Sequence, residues 1–168
     1  MLELPRINIS FHPLVILRKA LPSDLEFIKE ISHVEMGEVV PRMWSWESWF
    51  SDMAKFLRGN NHKIFVIEVQ DTSGGYLWVN EEINALWITA IVLQARYQRQ
   101  NIGTKIMNYL IEETYKGGKE FIELGVQRNN QIAIDFYSKI GFVPFDCIKS
   151  ANTDLFRLKV NKIDQSII

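Results

Sequence analysis

The residues best suited to chemistry gather around one turn. An apolar run rich in Ile, Trp, Val and Thr, Leu86 to Leu93, ends at the polar segment Gln94 to Asn101. Ile102, Ile106, Leu110 and Thr114 then recur at helical spacing, flanked by Met107 and Ile111. Strand, polar turn and helix in that order bring free backbone N–H groups and the positive end of a helix dipole to one point. Both favour an anion such as a pyrophosphate. Two familiar phosphate-binding patterns do not fit. A P-loop needs Gly, four residues, then Gly-Lys-Ser/Thr, whereas Gly103-Thr104-Lys105 has no partner Gly five residues earlier. The Gly-x-Gly-x-x-Gly dinucleotide fingerprint is missing as well. What stands in the turn is Gln98-x-x-Asn101-x-Gly103. By itself this fits a phosphate site and an ordinary strand–turn–helix link of any α/β protein equally well.

A second stretch breaks the tie. Asn130-Gln-Ile-Ala-Ile-Asp-Phe-Tyr-Ser-Lys-Ile-Gly-Phe142 resembles the later motif of the GCN5-related N-acetyltransferases, Asn-x-x-Ala-x-x-Phe-Tyr-x-x-x-Gly-Phe. Asn130, Ala133, Phe136, Tyr137, Gly141 and Phe142 occupy every fixed position. The turn Gln98-x-x-Asn101-x-Gly103 is similar to the same family's Gln/Arg-x-x-Gly-x-Gly/Ala loop, with Asn101 where the family prefers Gly. Asn is the non-Gly residue that best tolerates left-handed backbone angles, so the turn survives the exchange. The resemblance covers roughly Ile16 to Val160.

The resemblance implies an α/β fold in a single domain: a mixed, mostly antiparallel central sheet flanked by about four helices. It implies acetyl-CoA as cofactor and a primary amine, on a small molecule or a peptide α-amine, as acceptor, attacked directly in a ternary complex. The pantetheine arm would lie against Ile91, Val92 and Leu93. Gln98 and the backbone of Arg99, Gln100, Asn101, Ile102, Gly103 and Thr104 would hold the pyrophosphate. Asn130, Ala133, Phe136 and Tyr137 would reach the cofactor from the last helix. Tyr137 would serve as the acid for the departing thiolate, since a phenol with a pKa of about 10 is a neutral donor at pH 7. Histone-type members carry a Glu on the central strand where this chain has Trp87. Glu38, Glu68 and Glu123 remain unranked as bases acting through water, or no dedicated base exists. An α-amine, with a pKa near 8, is partly neutral at physiological pH while a lysine amine is not, so the missing strand Glu leans against lysine. Glu38, Trp44 and Trp46 flank the loop between the first two helices, which usually walls the acceptor pocket in this family. A catalytically idle acyl-CoA-binding module is the competing reading.

The elements that must position these residues follow from the rest of the chain. Residues 1–13 read as an extension, 14–160 as the domain and 161–168 as a tail. Val15 to Lys19 predicts a strand. Ser23 with Glu26 predicts a capping box ahead of a helix striped by Leu25, Ile28 and Ile31. Trp46, Trp49, Phe50, Met53, Phe56 and Leu57 give a second helix one apolar face. Lys63 to Gln70 and Tyr76 to Val79 predict a hairpin turned by Asp71-Thr-Ser-Gly-Gly. Gly117-Gly118 ends the third helix, Phe121 to Val126 is a strand, and Asn130 caps the last helix. Phe142 to Ile148 and Asp154 to Val160 predict a closing hairpin.

Composition sets the bounds. The chain has 168 residues, 47% of them hydrophobic, the size and content of one domain with a real core. A net charge of −1 offers no electrostatic footprint for nucleic acid or an anionic membrane. The single Cys147 excludes an internal disulfide and points to a reducing compartment, the cytoplasm. No apolar run reaches membrane-spanning length. His12, His33 and His62 are scattered rather than spaced as metal ligands. A homodimer through the sheet edge or the last hairpin is left open.

Overall fold

The computed structural model describes residues 6–37, 45–59 and 63–161. Among them, eight strands form one sheet: β1 (Arg6–Phe11), β2 (Leu14–Lys19), β3 (Ile64–Val69), β4 (Thr72–Glu81), β5 (Ala85–Leu93), β6 (Phe121–Gln127), β7 (Val143–Ile148) and β8 (Thr153–Lys159). Four helices accompany them: α1 (Leu25–Met36), α2 (Trp46–Arg58), α3 (Ile102–Lys116) and α4 (Gln131–Ile140). The strand order is β1-β2-β3-β4-β5-β6-β8-β7. Every neighbouring pair is antiparallel except β5 and β6. That one parallel pair needs a crossover, and α3 provides it. The mixed, mostly antiparallel sheet with four helices is the expected architecture.

Each face of the sheet has its own core. Phe65, Ile67, Leu77, Ile88, Leu124 and Phe156 pack with Ile102, Ile106 and Leu110 of α3 and Tyr137 of α4. The opposite face puts Val66, Tyr76, Trp78, Ala90 and Val92 against Ile28, Trp49 and Met53 of α1 and α2. Along β5 the parity changes midway. Ile88 belongs to the α3/α4 face, but Ala90 and Val92 belong to the other. The pairing of β4 with β5 runs Val79↔Ile88 and then Trp78↔Ala90, so Thr89 is one residue extra. Such a bulge re-aims the residues beyond it. Asn80 Nδ2 donates to Thr89 Oγ1 at 2.6 Å and fixes it.

Several local expectations need correction. Arg6–Phe11, placed in an extension by sequence, is strand β1, paired with β2 and burying Ile7. Its alternation Ile7, Ile9, Phe11 is a strand signal hidden between Pro5 and Pro13. The Ser23–Glu26 capping box does not form. Pro22–Asp24 makes a 3-10 turn, and Asp24 rather than Ser23 enters α1, without a side-chain cap bond. The Asp24 carboxylate instead accepts from the Leu21 amide at 2.7 Å and from Arg18 at 2.9 Å. The hairpin turn is only Gln70 and Asp71, both left-handed at φ 51° and 62°, as a two-residue type I′ turn requires. Thr72 to Gly75 are already β4. Gly75 is glycine because a Cβ there would lie 2.1 Å from the Val92 carbonyl oxygen. The caps at Gly117, ending α3, and Asn130, opening α4, stand where the sequence puts them.

Candidate active site

Strands β5 and β6 pair in register only as far as Ile88↔Leu124, although β5 continues to Leu93 and β6 to Gln127. The two strands therefore part, and a cavity of about 360 Å³ opens where they separate. Its walls come from both cores. Tyr137 and Ala133 of α4 belong to one face, Trp49 of α2 and Met36 of α1 to the other. The cleft thus connects the two sides of the sheet. Beyond Ile88, β5 has no strand partner on its β6 side, so part of its backbone faces the opening. That is an edge to which an extended ligand can bond.

Next to the cleft lies the turn into α3. Arg99 and Asn101 are both left-handed, at φ 57° and 61°. Asn101 is the residue before α3, and its side chain makes no cap bond. Among the described residues, no side chain takes the Ile102, Gly103 or Thr104 amide. The first amide bonded inside the helix is that of Lys105, to the Asn101 carbonyl at 3.0 Å. Three free N–H groups at a helix N-terminus form an anion site. Gln98 turns back instead of outward, with Nε2 donating to Leu93 O at 2.9 Å and to Glu35 Oε2 at 3.0 Å. Gly103 lies inside the helix. A Cβ there would meet Phe136 Cζ at 3.2 Å, so its small size serves the approach of α4.

Tyr137 is buried on the cavity wall, its ring edge-on to Phe136 and Phe142 at 5.1 and 5.4 Å. Its hydroxyl has no hydrogen-bond partner among the described residues. Burial pushes the phenol well above its ordinary value, so it stays protonated. Asn130 also lines the cavity, and its Oδ1 accepts the Ala133 amide at 3.2 Å.

The cavity thus gathers Ile91, Val92, Leu93, Gln98, Asn130, Ala133 and Tyr137 of the residues singled out by sequence. Arg99 to Thr104 form the adjoining turn, while Ile102 and Phe136 pack in the α3/α4 core. Trp46 does not line the cavity; it stacks on Phe50 at 5.4 Å and touches His33. Glu38 and Trp44 lie outside the described residues. Glu68 and Glu123 are held elsewhere, by Arg6 and Arg18 and by Arg157 respectively. Trp87 lines the cavity. Glu35 does too, and sequence reading missed it; only its place as the penultimate residue of α1 could have drawn attention.

Residues 25–142 match the family model described as Acetyltransferase (GNAT) family. The chain belongs to the GNAT family. An uncharacterized N-acetyltransferase of Methanocaldococcus jannaschii is 27% identical over 111 residues, 62% of this chain and 48% of that protein. N-alpha-acetyltransferase 50 of Danio rerio is 43% identical over 58 residues, 34% of each chain. The match thus spans about half, or less, of these relatives' length. The GNAT fold is also that of the PaiA N-acetyltransferase of Thermoplasma acidophilum, solved in complex with coenzyme A. That structure superposes with a TM-score of 0.68 at 20% identity, over 86% of this chain and 98% of that one.

Proposed function

We propose that this GNAT chain transfers the acetyl group of acetyl-CoA to a primary amine, with a peptide α-amine favoured over a lysine side chain. The observation that carries the reading is the cleft between β5 and β6, which reaches both faces of the sheet and has Tyr137 on its wall. The residues present suit the cofactor. The open edge of β5 from Ile91 to Leu93 suits an amide-bearing arm, and the uncapped amides of Ile102, Gly103 and Thr104 suit a pyrophosphate. When bound, acetyl-CoA supplies an activated thioester carbonyl and a thiolate leaving group. Tyr137 supplies a proton from Oη to the departing sulfur, and its burial keeps that proton in place until it is needed. Trp49 and Met36 exclude water from the amine's side of the cleft.

The preference for an α-amine rests on two supports. One relative bears the name N-alpha-acetyltransferase. The second support is that β5 carries Trp87 rather than a carboxylate at the cavity wall. An α-amine is partly neutral near pH 8, whereas lysine needs a base. The test follows free thiol with acetyl-CoA and three acceptor sets: peptides with a free N-terminus, N-terminally blocked peptides carrying lysine, and small amines. Turnover with free N-termini and little with blocked lysine peptides is expected. Coenzyme A binding without thiol release from any amine would replace this reading with an idle acyl-CoA-binding module.

A further inference from the structure

Glu35 plays no part in the chemistry above, yet it reaches across the fold. It sits near the end of α1, on the face of the sheet opposite α3. Its Oε1 accepts the Ala95 amide at 2.9 Å and its Oε2 accepts Gln98 Nε2 at 3.0 Å. The same Gln98 nitrogen holds the Leu93 carbonyl at 2.9 Å, closing a chain from α1 through the turn to the end of β5. Among the described residues it is the only charged side chain lining the cavity.

The turn needs such support. Arg99 and Asn101 both stand in the left-handed region, at φ 57° and 61°. Backbone of this kind is unfavourable for a residue with a side chain and persists only where its surroundings over-determine it. Gln100 Nε2 bonds Arg96 O at 2.6 Å within the turn, and the Gln94 amide donates to Gly74 O of β4 at 2.9 Å, but the Ala95 amide and the Gln98 side chain are tied from outside by the Glu35 carboxylate. Charge-assisted bonds are the stronger kind, and one carboxylate accepts two of them.

We propose that Glu35 is a positioning residue that pre-shapes the phosphate turn, so that coenzyme A affinity depends on a helix of the opposite face. This rests on the reading that the turn from Gln98 to Thr104 receives the pyrophosphate. The sign of the effect makes it testable. A carboxylate near a polyanionic ligand repels it, so by charge alone Glu35→Gln should tighten binding. A latch requires the reverse, because the amide can accept from one donor but presents N–H to the other.

The experiment measures coenzyme A affinity by calorimetry for the wild type, Glu35→Gln, Glu35→Ala, Gln98→Ala and the double variant Glu35→Ala/Gln98→Ala. Melting temperature is followed alongside, with amine KM at saturating acetyl-CoA. Loss of charged hydrogen bonds that order a ligand-binding turn should weaken coenzyme A about tenfold in each alanine variant. Glu35→Gln should fall between these and the wild type. The double variant should lose less than the two single losses combined, since both single variants already sever the Glu35–Gln98 link. Amine KM should move little. Unchanged or tighter binding in Glu35→Gln and Glu35→Ala would overturn the proposal, as would additive losses. A defect confined to amine KM would make Glu35 part of the acceptor site instead. Failure of the wild type itself to bind coenzyme A would remove the phosphate-turn reading, and the latch with it.

Discussion

Tyr137 is where one atom should separate two accounts of the site. Replacing it by Phe keeps the ring between Phe136 and Phe142 and removes a hydroxyl that bonds nothing among the described residues. Melting temperature should therefore hold, while kcat falls about 10²–10⁴-fold, the usual worth of general acid catalysis. The pH dependence has a definite sign. Burial raises the phenol above its ordinary value, so Tyr137 stays protonated through neutral and mildly alkaline pH. The variant's rate should fall by a constant factor from about pH 6 to 9, with the shape of the profile unchanged. An alkaline limb near neutrality that disappears in Tyr137→Phe would show a phenol titrating there, against the buried-acid account. A variant that turns over normally would pass the proton to water.

The turn into α3 and the strands beneath it respond as elements. Gly103 is small for the sake of Phe136, so Gly103→Val should push α4 away and cost roughly 1–3 kcal/mol of stability by overpacking, measurable in urea unfolding. Asn101→Gly should be nearly neutral, since the position is left-handed and Gly adopts that region freely. A large loss of coenzyme A affinity in that variant would mean that the Asn side chain meets the ligand. Farther along, Arg18 joins β2 to the start of α1 through Asp24 and to β3 through Glu68. Burial by itself would raise the Asp24 pKa, but hydrogen bonds from Arg18 and the Leu21 amide outweigh it and hold the carboxyl below its ordinary value. Its contribution to stability is thus complete above about pH 4 and disappears as pH falls through the depressed folded value. Asp24→Asn should lower the urea midpoint at pH 7 and remove part of its decline in acid. A midpoint unchanged at pH 7 would leave the pair without a stabilising role.

Across the whole molecule, a cleft that joins both cores makes ligand binding and folding one equilibrium. Coenzyme A at a hundredfold excess over its Kd should stabilise the native state by about 2.7 kcal/mol. For a domain of this size that is a rise in melting temperature of roughly 5–10 °C. No shift at such a concentration would count against the site. How much of this was legible beforehand divides along a physical line. The sequence by itself determined what local periodicity and local backbone chemistry encode. These were the helical stripes of α1 to α4, the strand runs, the caps at Gly117 and Asn130, a turn with a left-handed Asn101, and the order of two motifs that marks the family. It could not show the Thr89 bulge that changes the facing of β5, because a single inserted residue leaves no period to read. Nor could it show that a Cβ on Gly103 would meet Phe136, that Trp49 and Trp87 share one cavity, or that Glu35 reaches Gln98 from 63 residues away. Those contacts depend on strand register and on which face each helix covers, and only burying both faces of the sheet together decides them.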